Sequence, residues 1–351
     1  MKKWIIIISI ILGLVGITGY FVYDYFIHLG DPMSSETVEK ESFEVDSGSS
    51  FNTVVAKLES EGFIRSASYS KYLNKSKGPF VPKAGEFEIS KSMSTQEILE
   101  YLSDSKNIVQ KVYTFTLIPG LRQKDYAKAI ASKGYVTEES LLEAWNSEAF
   151  LQPLIDKYEV LSEDILSDNL FSKLEGYLFP ETYEVMQEAS ILEITTKILD
   201  LTERYYKTNK SKFEATKLST HDIFTLASIV QAEAAKPIDM KNVGSVIYNR
   251  LDKKMKLGMS ATVCYAKQIF NDWRQCELVV FDSPYNTYQH VGLPIGPIGN
   301  PSVTALNAII DPIETEYLYF ISDVYSVEKT MYFAKTSKEH QANVDKYLRN
   351  R

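Results

Sequence analysis

Hydrophobic and polar positions change their rhythm several times along the chain. From Trp4 to Tyr23, twenty residues carry no charge and are mostly Ile, Leu, Val and Gly. At the helical rise such a run reaches roughly 30 Å, the depth of a bilayer's hydrocarbon core, and predicts a transmembrane helix over 4–23. The polar stretch 30–40 (GDPMSSETVEK) contains a proline and shows no apolar period, and residues 24–41 read as a linker. Over 42–105 the period switches between strand and helix. Phe43 and Val45 alternate with polar neighbours up to Gly48. Phe51, Val54, Val55 and Leu58 then fall at helical spacing and stop at Gly62. Residues 84–90 (AGEFEIS) alternate again, and Ser94 with Glu97 forms a capping box before Ile98, Leu99 and Leu102. The predicted order is β, α, α, β, α, a small α+β module.

Phe43, Gly48, Leu58 and Gly62 have echoes 72 residues later in Phe115, Gly120, Ile130 and Gly134. Strand, glycine turn, helix and glycine stop recur in the same order, so a strand near 112–118 is expected to open a second unit. From about 136 onward the pattern is mostly helical, including 190–205 and 222–235. The exceptions are the Gly/Pro loop 291–301 (VGLPIGPIGNP) and strand-like pieces at 317–321 and 330–334. Asn300 and Pro301 read as the N-cap and first residue of a helix through Ala305, Ile309 and Ile310. The fold class that follows is α+β: a transmembrane helix, a small α+β module over 42–105 and a larger, mostly helical domain over 106–351.

Charge and cysteine content narrow the partners. The chain has 38 basic and 46 acidic residues, a net charge of −8 and no long basic run, which argues against nucleic acid. Lys2 and Lys3 before the apolar run and Asp24 after it place the 1–3 tip in the cytoplasm and the rest outside. A cleaved signal peptide is disfavoured by the length of the run and by Tyr20–Tyr23, which offer no small-residue cleavage site. His28, His221, His290 and His340 lie far apart, so no metal site is expected. Cys264 and Cys276 could form one bridge in an oxidising compartment or be two buried thiols.

The candidate chemistry centres on Ile223–Ala235 (IFTLASIVQAEAA). Glu233 stands seven, four and three residues after Leu226, Ile229 and Val230, on the stripe they form. Shielding raises a carboxyl pKa, which suits an acid that must protonate a leaving glycosidic oxygen. A Glu turned outward, or paired with Lys236 or Arg250, is the structural alternative. Asn249, Thr262, Tyr265, Tyr285, Asn286 and Tyr288 supply rings and amides of the kind that hold sugars, although each could equally be packing or capping. Glu175 and Tyr177 either line the same cleft or cap a turn.

These stretches in this order resemble the endolytic murein transglycosylase, or YceG-like, family: LEGYLFPETYEV (174–185), LASIVQAEA (226–234), VGSVIYNRL (243–251), ATVCYA (261–266), SPYNTY (283–288), GLPIGPIGNPS (292–302), YLYF (317–320) and FAKTSKEHQANVDKYL (333–348). The resemblance runs from about residue 42 to the end. It implies a single-pass plasma-membrane protein with a LysM-like module over 42–105 and a catalytic domain facing the wall. The implied reaction is non-hydrolytic cleavage between N-acetylmuramic acid and N-acetylglucosamine in peptidoglycan strands, leaving a 1,6-anhydro end. No cofactor is implied, and wall-synthesis or division proteins are the expected protein partners.

The family's catalytic Glu maps to Glu233, and the second Glu of many members is Gln231 here. An Asp that many relatives carry before the ATV triplet is Ser260. On the residues alone, a two-carboxylate hydrolase using Asp239, Glu175 or Asp282 remains a rival. A non-catalytic glycan-binding scaffold is another.

Overall fold

The structure is a computed structural model that describes residues 2–134, 136–270, 276, 281–323, 325–326 and 328–349, with side chains from residue 10 onward. Met1 of the expected cytoplasmic tip lies outside the described residues. The chain divides into two compact units, 1–111 and 112–351.

The first unit begins with helix α1 (Lys2–His28), whose stretch Ile10–His28 is long and apolar enough to cross a membrane. After it come β1 (Glu41–Val45), α2 (Phe51–Ser60), α3 (Ala67–Ser76), β2 (Gly85–Ile89) and α4 (Thr95–Ser103). The two strands pair antiparallel with Phe43 opposite Phe87. Phe43 and Val45 turn inward while Ser42 and Glu44 face out, as period-2 patterning requires. Val54, Val55 and Leu58 bring the inner face of α2 onto this ribbon. Gly62 adopts φ +75°, which ends the turn after α2 without a Cβ penalty. Both hydrogen bonds of the Ser94/Glu97 capping box are formed at α4. A bridge between Phe87 and Ile108 carries this unit to residue 111, beyond the expected end at 105.

The second unit opens with β3 (Val112–Thr116), α5 (Gln123–Ala131), α6 (Glu138–Asn146), α7 (Glu148–Lys157), β4 (Thr182–Met186) and α8 (Ile191–Ala215). Here β3 and β4 pair antiparallel, with the Phe115 and Tyr183 rings stacked 5.4 Å apart. The echo in the sequence therefore extends further than its four matched positions. In both units a strand, a glycine turn and successive helices lead to an antiparallel partner strand and another helix.

The remainder is α9 (Thr220–Glu233), α10 (Pro237–Asp252), α11 (Ser260–Ala266), α12 (Val303–Ile310), the antiparallel ribbon β5 (Tyr319–Ser322) and β6 (Met331–Ala334), and α13 (Ser337–Val344). Helix α9 runs through the core. Every residue from Ile223 to Val230 is buried, so the helix is enclosed all round instead of carrying one apolar stripe. Its start is fixed by a capping box between Ser219 and Asp222. Helices α10 and α12 cross at Gly244, where an added Cβ would sit 2.7 Å from the Ala308 carbonyl oxygen.

Helix α12 starts later than its sequence suggests. Ser302 is the N-cap, accepting from the Ala305 N–H, and Asn300 lies outside the helix. The Asn300 side chain is fully buried and spends its amide on other segments: it accepts from the Leu178 N–H and donates to the Leu121 carbonyl.

Candidate functional site

Glu233 is the last residue of α9 and is half-buried, where the helix emerges from the core. Its carboxyl oxygen accepts from the Ala261 N–H at 3.4 Å, in the first turn of α11. Arg250, near the end of α10, lies close enough to feel this charge. Burial pulls the guanidinium pKa down, and Tyr319, Tyr288 and Glu233 act against that shift. Arg250 also donates to the backbone carbonyls of Leu257 and Leu318, which fixes it beside the turn leading to α11.

A second face of α9 holds the Gly/Pro loop. His221, Ser228 and Gln231 are spaced seven and three residues apart, so they line one side of the helix. His221 Nε2 pairs with the Ile295 carbonyl, Ser228 Oγ accepts from the Ile298 N–H, and Gln231 Oε1 accepts from the Ser302 N–H. The loop is laid along the helix by three polar side chains, each satisfying a backbone group that burial would otherwise leave unpaired. The Gln231 amide thus serves the loop.

The remaining sequence-predicted residues separate into distinct groups. Thr262 is fully buried, its hydroxyl 2.9 Å from that of Thr287 and donating to the Met259 carbonyl. Asn286 is buried; it donates to the Phe281 carbonyl and accepts from the Tyr288 N–H, as a turn residue does. Asn249 donates to the Thr315 and Tyr317 carbonyls, tying α10 to the strand that follows. Tyr288 is 48% exposed and is the one predicted ring open to solvent. Tyr265 and Tyr285 are buried together, with ring centroids 5.0 Å apart.

Tyr265 and Glu175 meet directly. The Tyr265 hydroxyl donates to Glu175 Oε2 at 3.2 Å, and Oε1 accepts from the Gln123 N–H at 2.7 Å and from Asn300 Nδ2 at 3.3 Å. Burial pushes the Glu175 pKa up to about 8. The donors from Gln123 and Tyr265 and the charge of Arg122 only partly offset this. Glu175 follows the same structural logic as Asn300: one side chain ties α5, α11 and the Gly/Pro loop together.

In front of Glu175 opens a pocket of about 200 Å³ lined by Arg122, Lys124, Phe171, Ser172, Tyr265 and Gln268, with Leu142 and Asn146 completing the wall. Its cations were not foreseen from the sequence, because charged residues in the first turn of a helix read as solvated. One wall is secured by a disulfide between Cys264 and Cys276, with an S–S distance of 2.07 Å. That outcome settles the choice left open by the spacing of the two cysteines.

Comparisons with known proteins bear on this arrangement. An endolytic murein transglycosylase of Bacillus subtilis (strain 168) is 31% identical over 334 residues, covering 95% of this chain and 91% of that protein. An endolytic murein transglycosylase of Streptococcus pneumoniae (serotype 2, strain D39) is 28% identical over 370 residues, covering all of this chain and 66% of the relative. A crystal structure of a yceG-like protein from Listeria monocytogenes superposes with a TM-score of 0.60 at 30% identity, covering 87% of this chain and 99% of that one. The model of the YceG-like family matches residues 43–346, and the chain belongs to that family.

Proposed function

We propose that this chain is a membrane-anchored endolytic murein transglycosylase that cleaves peptidoglycan strands between N-acetylmuramic acid and N-acetylglucosamine, with Glu233 as the single acid and base. The observation that carries the reading is the position of Glu233. It sits half-buried at the emerging end of a helix that is otherwise enclosed, beside the first turn of α11. The activity named for relatives at 28–31% identity supports the substrate class. Helix α1 provides the anchor, and residues beyond it face the wall. Residues 42–105 form a glycan-facing LysM-like module, and 106–351 the catalytic domain.

In the proposed reaction, protonated Glu233 gives its proton to the bridging oxygen as the C1–O bond breaks and the electron pair leaves on that oxygen. The Glu233 carboxylate then takes the proton of the muramoyl C6 hydroxyl, whose oxygen bonds to C1 and closes the 1,6-anhydro ring. The nucleophile belongs to the substrate and is held near C1 by its own ring, so a second catalytic carboxylate is unnecessary. Tyr288 and the Thr262–Tyr265 segment border the cleft. Asn249, Asn286 and Tyr285 shape it from behind, and Glu175 holds α11 in place.

Glu233→Gln removes the proton with little change in shape. It is expected to lower release of anhydro-ended products from purified strands at least 100-fold, with the melting temperature preserved. Mass spectrometry of the products decides. Reducing ends from the unaltered enzyme would make it a hydrolase, and strands left whole by it would make it a glycan-binding scaffold.

A further inference from the structure

The pocket in front of Glu175 has no part in the proton transfers assigned to Glu233, yet its chemistry is specific. At about 200 Å³ it is smaller than a site for a drug-sized ligand, and it suits one or two amino-acid residues better than a run of sugars. Two cations stand at its mouth. Arg122 is held in place, bonded through Nε and Nη2 to Asp125 and lying over the Phe270 ring at 3.5 Å. Lys124 is exposed and makes no ion pair among the described residues. The local balance at the mouth is therefore positive, which favours an anion.

The walls fit a peptide. Phe171 is 49% exposed, its ring stacked 5.1 Å from Tyr285, and offers an apolar floor of the size of a small side chain. Gln268, held at the end of α11 with φ +56°, donates through Nε2 to the Tyr265 carbonyl and leaves its oxygen to accept. The Ser172 hydroxyl adds a donor and an acceptor. Glu175 closes the back. Its buried carboxyl favours the neutral form, so an incoming carboxylate meets no opposing charge there. Gln123, also fully buried, keeps beside this cluster a side-chain nitrogen with no hydrogen-bond partner among the described residues.

We propose that this pocket binds the carboxylate-bearing peptide arm attached to the muramic acid of the strand, so that the protein reads peptide as well as sugar. The proposal rests on the peptidoglycan reading above and adds a recognition element to it.

The test uses the full-length chain in detergent micelles with two strand preparations: one carrying its peptides, the other stripped of them by an amidase. The unaltered protein is expected to show a KM about five- to tenfold lower on the peptide-bearing strands. Lys124→Glu should remove that advantage without changing kcat or the KM on stripped strands, as expected when one charge-assisted contact is reversed. Lys124→Arg should retain it. Calorimetric titration with N-acetylmuramoyl-alanyl-glutamate, compared with peptide-free N-acetylmuramic acid, gives a readout independent of cleavage.

Equal KM on the two strands, equal affinity for the two small ligands, or an equal effect of Lys124→Glu on both preparations would overturn the proposal. Binding of the dipeptide that Lys124→Glu abolishes, with neither strand cut, would sustain the pocket and remove the enzymatic reading. Cleavage without peptide preference would do the reverse.

Discussion

Three donors converge on the Glu175 carboxyl group, and burial still keeps its pKa near 8, well above the 4.5 of an exposed Glu. The sign of the consequence follows from proton counting. Between those two values the folded chain holds a proton that the unfolded chain has released. The associated stability is therefore complete below pH 4.5 and is lost as pH rises through 8. The facing groups are Tyr265, Tyr285, Arg122 and Asp125; the hydrogen bond from Tyr265 and the charge of Arg122 favour ionisation, and the charge of Asp125 opposes it. Glu175→Gln removes this titration. Its melting temperature relative to the unaltered protein should rise by several degrees between pH 5 and pH 8.5, measured by calorimetry. A flat difference would show that Glu175 stays ionised in the fold.

At this scale the sequence revealed types of side chain and left their targets open. Glu233 stood out because a carboxylate followed an apolar run. Thr262, Asn249 and Asn286 stood out as polar residues near it, but their hydrogen bonds go to protein backbone or to Thr287. Lys124 carried no signal, since the pocket it lines is completed by Phe171 and Gln268, which are far away in sequence.

Among elements, the helices α9, α10 and α12 depend on close approach. Gly244 lies inside α10, where alanine would normally be favoured by about 1 kcal/mol. The Ala308 carbonyl 2.7 Å from a Cβ at that position reverses the balance, because backbone oxygen cannot swing aside. Gly244→Ala should destabilise the second unit by about 1–3 kcal/mol. Thermal denaturation checks this, and a stabilised variant would mean that the two helices slide apart freely.

Element boundaries were legible where local chemistry dominated, as in the capping box of α4 and the strands at 41–45 and 331–334. They were misleading where a distant partner competed. Asn300 has the composition of a helix cap, but the Leu178 N–H, the Leu121 carbonyl and Glu175 claim its amide, and Ser302 takes the capping role. The Gly/Pro loop shows the same limit. Its composition announced irregular backbone, whereas its course along α9 depends on His221, Ser228 and Gln231.

For the molecule as a whole, the apolar helix, the β-α-α-β-α order of the first unit and the strand opening the second were all visible in residue periodicity. The pairing of β3 with β4 across almost seventy residues was not, because no local pattern encodes it. Helix α1 leads to a prediction at this scale. Removing residues 1–28 should shift the protein from the membrane to the soluble fraction of bacterial cells, while cleavage of purified strands in solution continues. Retention of the truncated chain on membranes would assign attachment to another segment.

The Cys264–Cys276 bridge has a consequence for timing. Joining two sulfurs requires an acceptor for two electrons, and a compartment kept reducing does not supply one. In a reducing compartment the chain thus carries two thiols, and the segment holding Tyr265 and Gln268 lacks its covalent clasp. Under the topology proposed above, with the residues beyond α1 outside the membrane, that wall closes only once the second unit has crossed it.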